Sequence, residues 1–488
     1  MIPVLLILIP LISGVIAFFI KENNGAKGWA LVASLLSLGV VLLGMTLYND
    51  YAYLHADYTW MPSLGSRFTL AQDGMGQILC LLTGIAFPLA FLSTYRNEYT
   101  KPGSFYGFML LSQAGLMGVF LATDALLFYF FWELALIPAY FLCSRWGGER
   151  RIQVTFKFFI YTFIASLFML IGIIYLYTRT PDQSFALTSF YNLQLSGTEQ
   201  SWVFWLFFIA FAVKMPVFPF HTWQPDTYEQ APVATTMILS GVMVKMGVFA
   251  VIRWLVPVLP MASWAWGDTV SWMCIIGMIY ASLLAMRQDD LRRLVAYSSI
   301  AHIGLMCLAI FSTTSTGMQG VMIQMFSHGI NIIGMWIVIG LIEKQFGTRK
   351  ISELGGIAQK APVLAILLVI IAFANIALPL TNAFIGEFLM FTGVFTSEVS
   401  KYNIAFVAVA ILTIILAAVY TLGMIRKVFF GNTNERTAAA FDVRINEKLA
   451  LWIIVAIIIG VGVYPQPVLD LTSSTVESIL SRMISKHP

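Results

Sequence analysis

The sequence predicts an all-α, polytopic membrane protein with about 14 transmembrane helices, two inverted five-helix repeats, and broken seventh and twelfth helices. Three observations predict it. Charged residues are too few for a water-soluble body, apolar runs of spanning length recur along the whole chain, and the cations gather on one of the two sides that those runs define.

Only 11% of the 488 residues are charged and 59% are hydrophobic, against about 25% charged in a typical soluble domain. Too little polar surface remains to cover a soluble body, so lipid is the solvent for most of the chain. A spanning helix needs about 20 mostly apolar residues. Such runs lie at about 2–20, 29–48, 72–94, 105–121, 122–144, 154–178, 201–220, 231–256, 268–286, 294–313, 319–343, 361–396, 402–430 and 449–468. The first positive charge of the first run, Lys21, follows its apolar core, so the run reads as an uncleaved span and not as a signal peptide. Thr123 and Asp124 alone separate the fourth and fifth runs, and the twelfth is too long for one straight crossing.

Placing the N-terminus outside, with one crossing per helix, puts 20 of the 28 Lys and Arg in inside loops and 6 in outside segments. Lys214 and Lys245 fall within spans. Lys and Arg concentrate in cytoplasmic loops, and one missed central helix would swap the side of every later loop. The inside loop 221–230 departs from the rule: it has no cation and carries Asp226 and Glu229, which predicts specific contacts there. Stretches between spans reach only about 20 residues and cannot bury cores of their own. The divisions are therefore parts of one bundle: a three-helix segment at 1–104, repeats at 105–260 and 261–430, and a helix and tail at 431–488.

No glycine-rich phosphate loop stands between a strand and a helix, and no nucleophile motif occurs. Cys80, Cys143, Cys274 and Cys307 lie in apolar runs without metal-ligand spacing and read as small buried hydrophobes. The chemistry must lie within the membrane. A charge at bilayer centre costs about 2.5–3.5 kcal/mol on insertion scales, so intramembrane charges are paired, hydrated or functional.

Six positions stand out. Glu133 sits mid-span in YFFWELALIPAYFL, with Pro138 five residues on; the competing reading is a structural carboxyl bonded to a neighbouring helix. Lys214 is followed by Pro216 and Pro219, which remove backbone hydrogen bonds and break the helix. Broken helices at membrane depth commonly mark ion sites, although a lysine near a helix end can also snorkel. Lys245 lies in the middle of the eighth span, where snorkelling is hard. His302 and His328, with Ser298, Ser299, Ser327 and Asn331 close by, suit a hydrated relay; singly, each would pass for a satisfied polar contact. Glu387 follows a second break, marked by Pro379, with Thr381, Asn382 and Gly386 between them. Reversible acids and bases of this kind suit proton hopping. A metal-cation pore fits less well, because lysines repel the ion, and no acid or cysteine accompanies the histidines at ligand spacing. His221, just past the seventh span, is a candidate proton entrance. Asp289, Asp290, Arg292 and Arg293 read as end-capping and topology. The two broken helices suggest duplication, and an odd number of spans per copy makes the second copy inverted.

Four runs carry a resemblance: FWELALIPAYFL, KMPVFPFHTWQPDTYEQAPVATTMILSGVMVKMG, LRRLVAYSSIAHIGLM and FIGEF. Together they resemble the antiporter-like proton-pumping subunits of respiratory complex I, the NADH:quinone oxidoreductase, over about residues 70 to 430. The resemblance implies a proton path with Glu133 and Lys214 as a pair, Lys245 in the middle, His302 and His328 as relays and Glu387 as terminal acid. Quinone reduction elsewhere in the complex would drive it. This chain would hold no cofactor; NADH, FMN, iron–sulfur clusters and quinone belong to partner subunits. Neighbouring antiporter-like chains L and N are the implied partners, with no nucleic acid. The implied setting is a bacterial inner membrane with both termini on the periplasmic side. Related chains commonly have lysine at the position of Glu387, so glutamate points to one branch, and the lack of a long C-terminal extension argues against another. Leu380 and Ala383 stand where the family frequently has glycine, which makes a stiffer break the expectation here. Two other readings remain open: a subunit of a multi-subunit cation/proton antiporter or membrane-bound hydrogenase, and a structural scaffold whose polar axis is vestigial.

Overall fold

The computed structural model describes residues 1–47 and 51–484; Lys486, one of the six outside cations, lies outside them. Helices follow the predicted runs in order. Among the described residues eleven helices are long and apolar enough to cross a membrane, and Ile2–Ala17, Pro362–Asn375 and Asn382–Phe395 are shorter apolar helices. Helix starts are the least accurate part of the reading. The ninth begins at Pro260, not 268, because Asp268 sits inside it and does not bound it.

The bundle is polar at its centre and apolar at its rim, as lipid requires. The apolar central stretches of Leu291–Phe311 and Val233–Leu255 are buried, as is nearly all of that of Ser315–Phe346. The peripheral helices Asn23–Thr46 and Asn403–Val428 expose Leu35, Leu36, Leu42, Ile404, Ile411 and Ile415. Cys80, Cys143, Cys274 and Cys307 are free and buried.

The Thr123–Asp124 break is a helix cap. The Asp124 carboxylate accepts from the backbone N–H of Leu126 and Leu127, each at 3.0 Å, satisfying donors that a helix start leaves open. It also accepts from Ser66 Oγ at 2.9 Å and from Arg67 N–H at 3.0 Å. These last contacts hold a feature the sequence reading missed, the one pair of strands among the described residues. It is an antiparallel hairpin of β1 (His55–Met61) and β2 (Ser66–Ala71), with His55 opposite Ala71. A second omission is the helix Gln466–Ile484 in the predicted tail. It packs against Gly74–Ser93, and Leu471 carbonyl approaches so closely that any side chain at Gly74 would collide with it.

Both predicted breaks are present. One helix ends at Lys214 and the chain resumes as Trp223–Gln230, with Pro216 and Pro219 between. The other ends at Asn375 and resumes at Asn382, with Pro379 between. In the second break Ala377 has φ 55° and Leu380 φ 72°. Leu380 thus occupies a left-handed conformation that suits glycine and strains a branched residue, which is the physical content of the expected stiffness. Ala383, by contrast, lies in regular helix.

Candidate functional site

The eighth helix is not regular. Its hydrogen bonding widens to π-helical turns at Leu239–Met243 and Val251–Leu255, with Val244 N–H bonded to Leu239 carbonyl at 3.2 Å. Such bulges recur at functional sites because they re-aim side chains and loosen carbonyls. Lys245 lies two residues past the end of the first bulge and is 0% exposed. Its Nζ donates to the Ser240 carbonyl at 2.8 Å and lies 2.8 Å from His328 Nδ1.

From there the predicted residues continue as a series. The His328 and His302 rings are 5.5 Å apart, centroid to centroid. His302 Nδ1 lies 3.1 Å from Glu387 Oε1. With Lys245 donating, His328 Nδ1 is an acceptor and its Nε2 carries the hydrogen; with Glu387 accepting, His302 Nδ1 carries the hydrogen and Nε2 is free to accept. The bonds therefore share one direction along the series. Glu387 is placed by close packing: Gly386 meets Gln324 so tightly that an added Cβ would stand 2.5 Å from Gln324 Oε1. Gln324 Nε2 donates to Glu387 Oε1 at 3.5 Å. Ser327 and Asn382 bond each other's backbone carbonyls at 3.2 and 3.4 Å, pinning the start of the second half-helix.

Glu133 and Lys214 form the other end. Lys214 is buried at the last position of its helix, where the C-terminal dipole favours a cation. Its Nζ stands 5.5 Å from the centroid of the Trp132 ring. The Lys214 ammonium and Glu133 Oε1 have no hydrogen-bond partner, and no ion pair within 4.0 Å joins them among the described residues. The helix ending at Lys214 meets the Lys245 helix at Gly247, where a Cβ would lie 2.7 Å from both Met215 Cβ and Phe211 carbonyl. His221 is buried against Phe218 and Tyr280, with ring centroids at 5.8 and 5.4 Å.

The acidic loop has the contacts its departure from the charge rule predicts. Asp226 bonds Lys157 at 2.8 Å and Arg293 at 3.0 Å. Glu229 bonds Arg150, Arg293 and Arg349 at 2.9 to 3.0 Å. Burial alone would raise both carboxyls, but hydrogen bonds and nearby cations hold them below the usual carboxylate range. Asp290 caps its helix through Arg292 and Arg293 N–H, as expected, and also bonds Arg349. A lowered folded-state pKa stabilises above the unfolded value of about 4.3 and is lost as pH falls through the folded value. Glu229→Gln is expected to destabilise by about 1 kcal/mol, since Arg150 loses its carboxylate while Arg293 keeps Asp226 and Arg349 keeps Asp290. It should also flatten the acid limb of thermal unfolding measured on the solubilised protein.

Sequence reasoning missed the π turns, Ser240, Gln324 and the ring of Trp132. A hydrophobic periodicity carries no mark of a π turn; the Phe-Trp-Glu run did place an aromatic beside Glu133.

The model of the family described as NADH:quinone oxidoreductase/Mrp antiporter, TM, matches residues 122–415. F(420)H(2) dehydrogenase subunit M of Methanosarcina mazei is 35% identical, covering 99% of both chains. NADH-quinone oxidoreductase subunit M of Escherichia coli is 33% identical, covering 97% of this chain and 96% of that protein. Both are subunit M proteins, the branch to which Glu387 points. A chain of respiratory complex I from Thermus thermophilus superposes with a TM-score of 0.91 at 26% identity, covering 99% of this chain and 100% of that chain. The chain therefore belongs to the family of multi-pass membrane subunits shared by NADH:quinone oxidoreductases and Mrp antiporters.

Proposed function

We propose that this chain is the subunit M of a quinone-reducing respiratory complex and moves protons through the membrane along its buried ionisable residues. The observation that carries the reading is the series Lys245–His328–His302–Glu387, with contacts of 2.8 and 3.1 Å at its two ends. Buried polar groups are nearly always hydrogen-bonded. His302 Nε2, His328 Nε2, Ser299 Oγ and both side-chain amide atoms of Asn331 lack protein partners, so water is their expected partner along the same stretch.

A proton enters from the inside face toward Lys214 or Lys245. A carboxylate near an ammonium favours its protonated form, so Glu133 holds the proton on Lys214. When Glu133 moves or its field is compensated, the proton passes to Lys245. Water between the imidazoles then carries it through His328 and His302 to Glu387, from which it leaves outside. Electron transfer belongs to partner subunits, and this chain contributes no redox centre. Chains L and N are its neighbours in a bacterial inner membrane, with both termini periplasmic. The relatives differ in the electron donor their names carry, F(420)H(2) or NADH. Subunits that co-purify with this chain identify its own; antiporter subunits without a quinone reductase would overturn the reading. Glu387→Gln keeps the shape and removes the proton site, and is expected to slow translocation by about tenfold or more in proteoliposomes. An unchanged rate would remove Glu387 from the path.

A further inference from the structure

A small cavity lies against the His302–Glu387 pair, lined on one side by Thr413, Ala417 and Tyr420. A second cavity, of about 410 Å³, is lined by Leu294, Tyr420, Gly423, Met424, Arg426 and Lys427. Tyr420 lines both. The two helices that flank it supply continuous stripes. Leu294, Ser298 and His302 recur every four residues on Leu291–Phe311, so they share one face. Thr413, Ala417, Tyr420, Met424 and Lys427 recur every three or four on Asn403–Val428. The stripes lead from the face bearing Arg426 and Lys427 inward to Glu387.

Between the cavities Tyr420 is latched. Its hydroxyl donates to Ser298 Oγ at 2.9 Å, and Asn375 Nδ2 donates to the same oxygen at 3.3 Å. All three residues are buried. Asn375 is the last residue before the break in the twelfth helix, so any change in that break acts directly on the latch.

We propose that Tyr420 is a gate between the cation-rich face and the His302–Glu387 pair. Seated on Ser298 it separates the two cavities. Rotated away it joins them and admits water, and with it protons, to Glu387 from that face. The gate gives Glu387 a second access route besides the series from Lys245, and it rests on the reading of Glu387 as a proton-transfer site.

The test is thiol accessibility in the whole complex in sealed vesicles of each orientation. Thr413→Cys places a reporter in the inner cavity, and the native cysteines are buried. The silver ion, a water-sized, membrane-impermeant thiol reagent, is the probe, because the inner cavity has room for about one water. Tyr420→Phe removes the latch and keeps the ring; it should raise labelling from the cation-rich face by about fivefold, the effect of one hydrogen bond on an opening equilibrium. Tyr420→Ala should raise it by about tenfold or more. Unchanged labelling in Tyr420→Phe, or an increase only from the opposite face, overturns the gate. Labelling does not depend on Glu387 carrying protons, so Glu387→Gln in the same vesicles reports separately on that reading.

Discussion

Lys245→Met in the assembled complex is expected to lower proton translocation through this chain by about tenfold or more, a barrier increase of at least about 1.4 kcal/mol. Methionine has nearly the length of lysine and fills the same buried volume. It also relieves the burial of an ammonium at membrane depth, which opposes stability by about 2.5–3.5 kcal/mol before compensation. Folding and assembly are therefore expected to survive. What is lost is the group that donates to Ser240 carbonyl and His328 Nδ1. Without it nothing loads His328 from the Lys214 side. Acidification of proteoliposomes during quinone reduction is the measurement, and a wild-type rate would detach Lys245 from the path.

Glu133→Ala and Lys214→Ala are each expected to nearly abolish translocation through this chain while leaving assembly intact. The Lys214 ammonium has no hydrogen-bonding partner and stands over Trp132. In the proposed path its protonation depends on the field of an ionised Glu133 more than on bonds. A tight ion pair would lock the proton in place, whereas a separated pair lets a small movement of the carboxylate change the affinity of the lysine. Glu133→Gln keeps the shape without the charge and should behave like Glu133→Ala. Translocation retained in both the Glu133 and the Lys214 variants would contradict the scheme.

Much of this site is written in local sequence. Prolines at 216, 219 and 379 mark the breaks because a missing N–H acts within a few residues. The isolated charges stand out because lipid makes each one expensive. The acid loop at 221–230 was visible as a gap in the cation pattern, and its ion pairs to Arg150, Arg293 and Arg349 explain that gap. What escaped depends on pairings distant in sequence. Ser298 meets Tyr420 across 122 residues, and Lys245 meets His328 across 83. No local signature says which residues pair. The hairpin at 55–71 was hidden in a stretch too short to be a domain, and the helix Gln466–Ile484 was hidden by its serines and threonines, which read as tail. Leu380 is the opposite case: the sequence showed a branched residue at a position where the family resemblance leads to an expectation of glycine, and the backbone there has φ 72°.

The most direct test counts protons delivered per electron pair by the complex carrying His302→Gln and His328→Gln together. Glutamine keeps hydrogen-bonding capacity but cannot take up and pass on a proton at these positions. The two imidazoles bridge Lys245 and Glu387 in the contact series. A reduced count with quinone reduction still measurable is the predicted result; a count equal to that of the unaltered complex would contradict a proton route through this line.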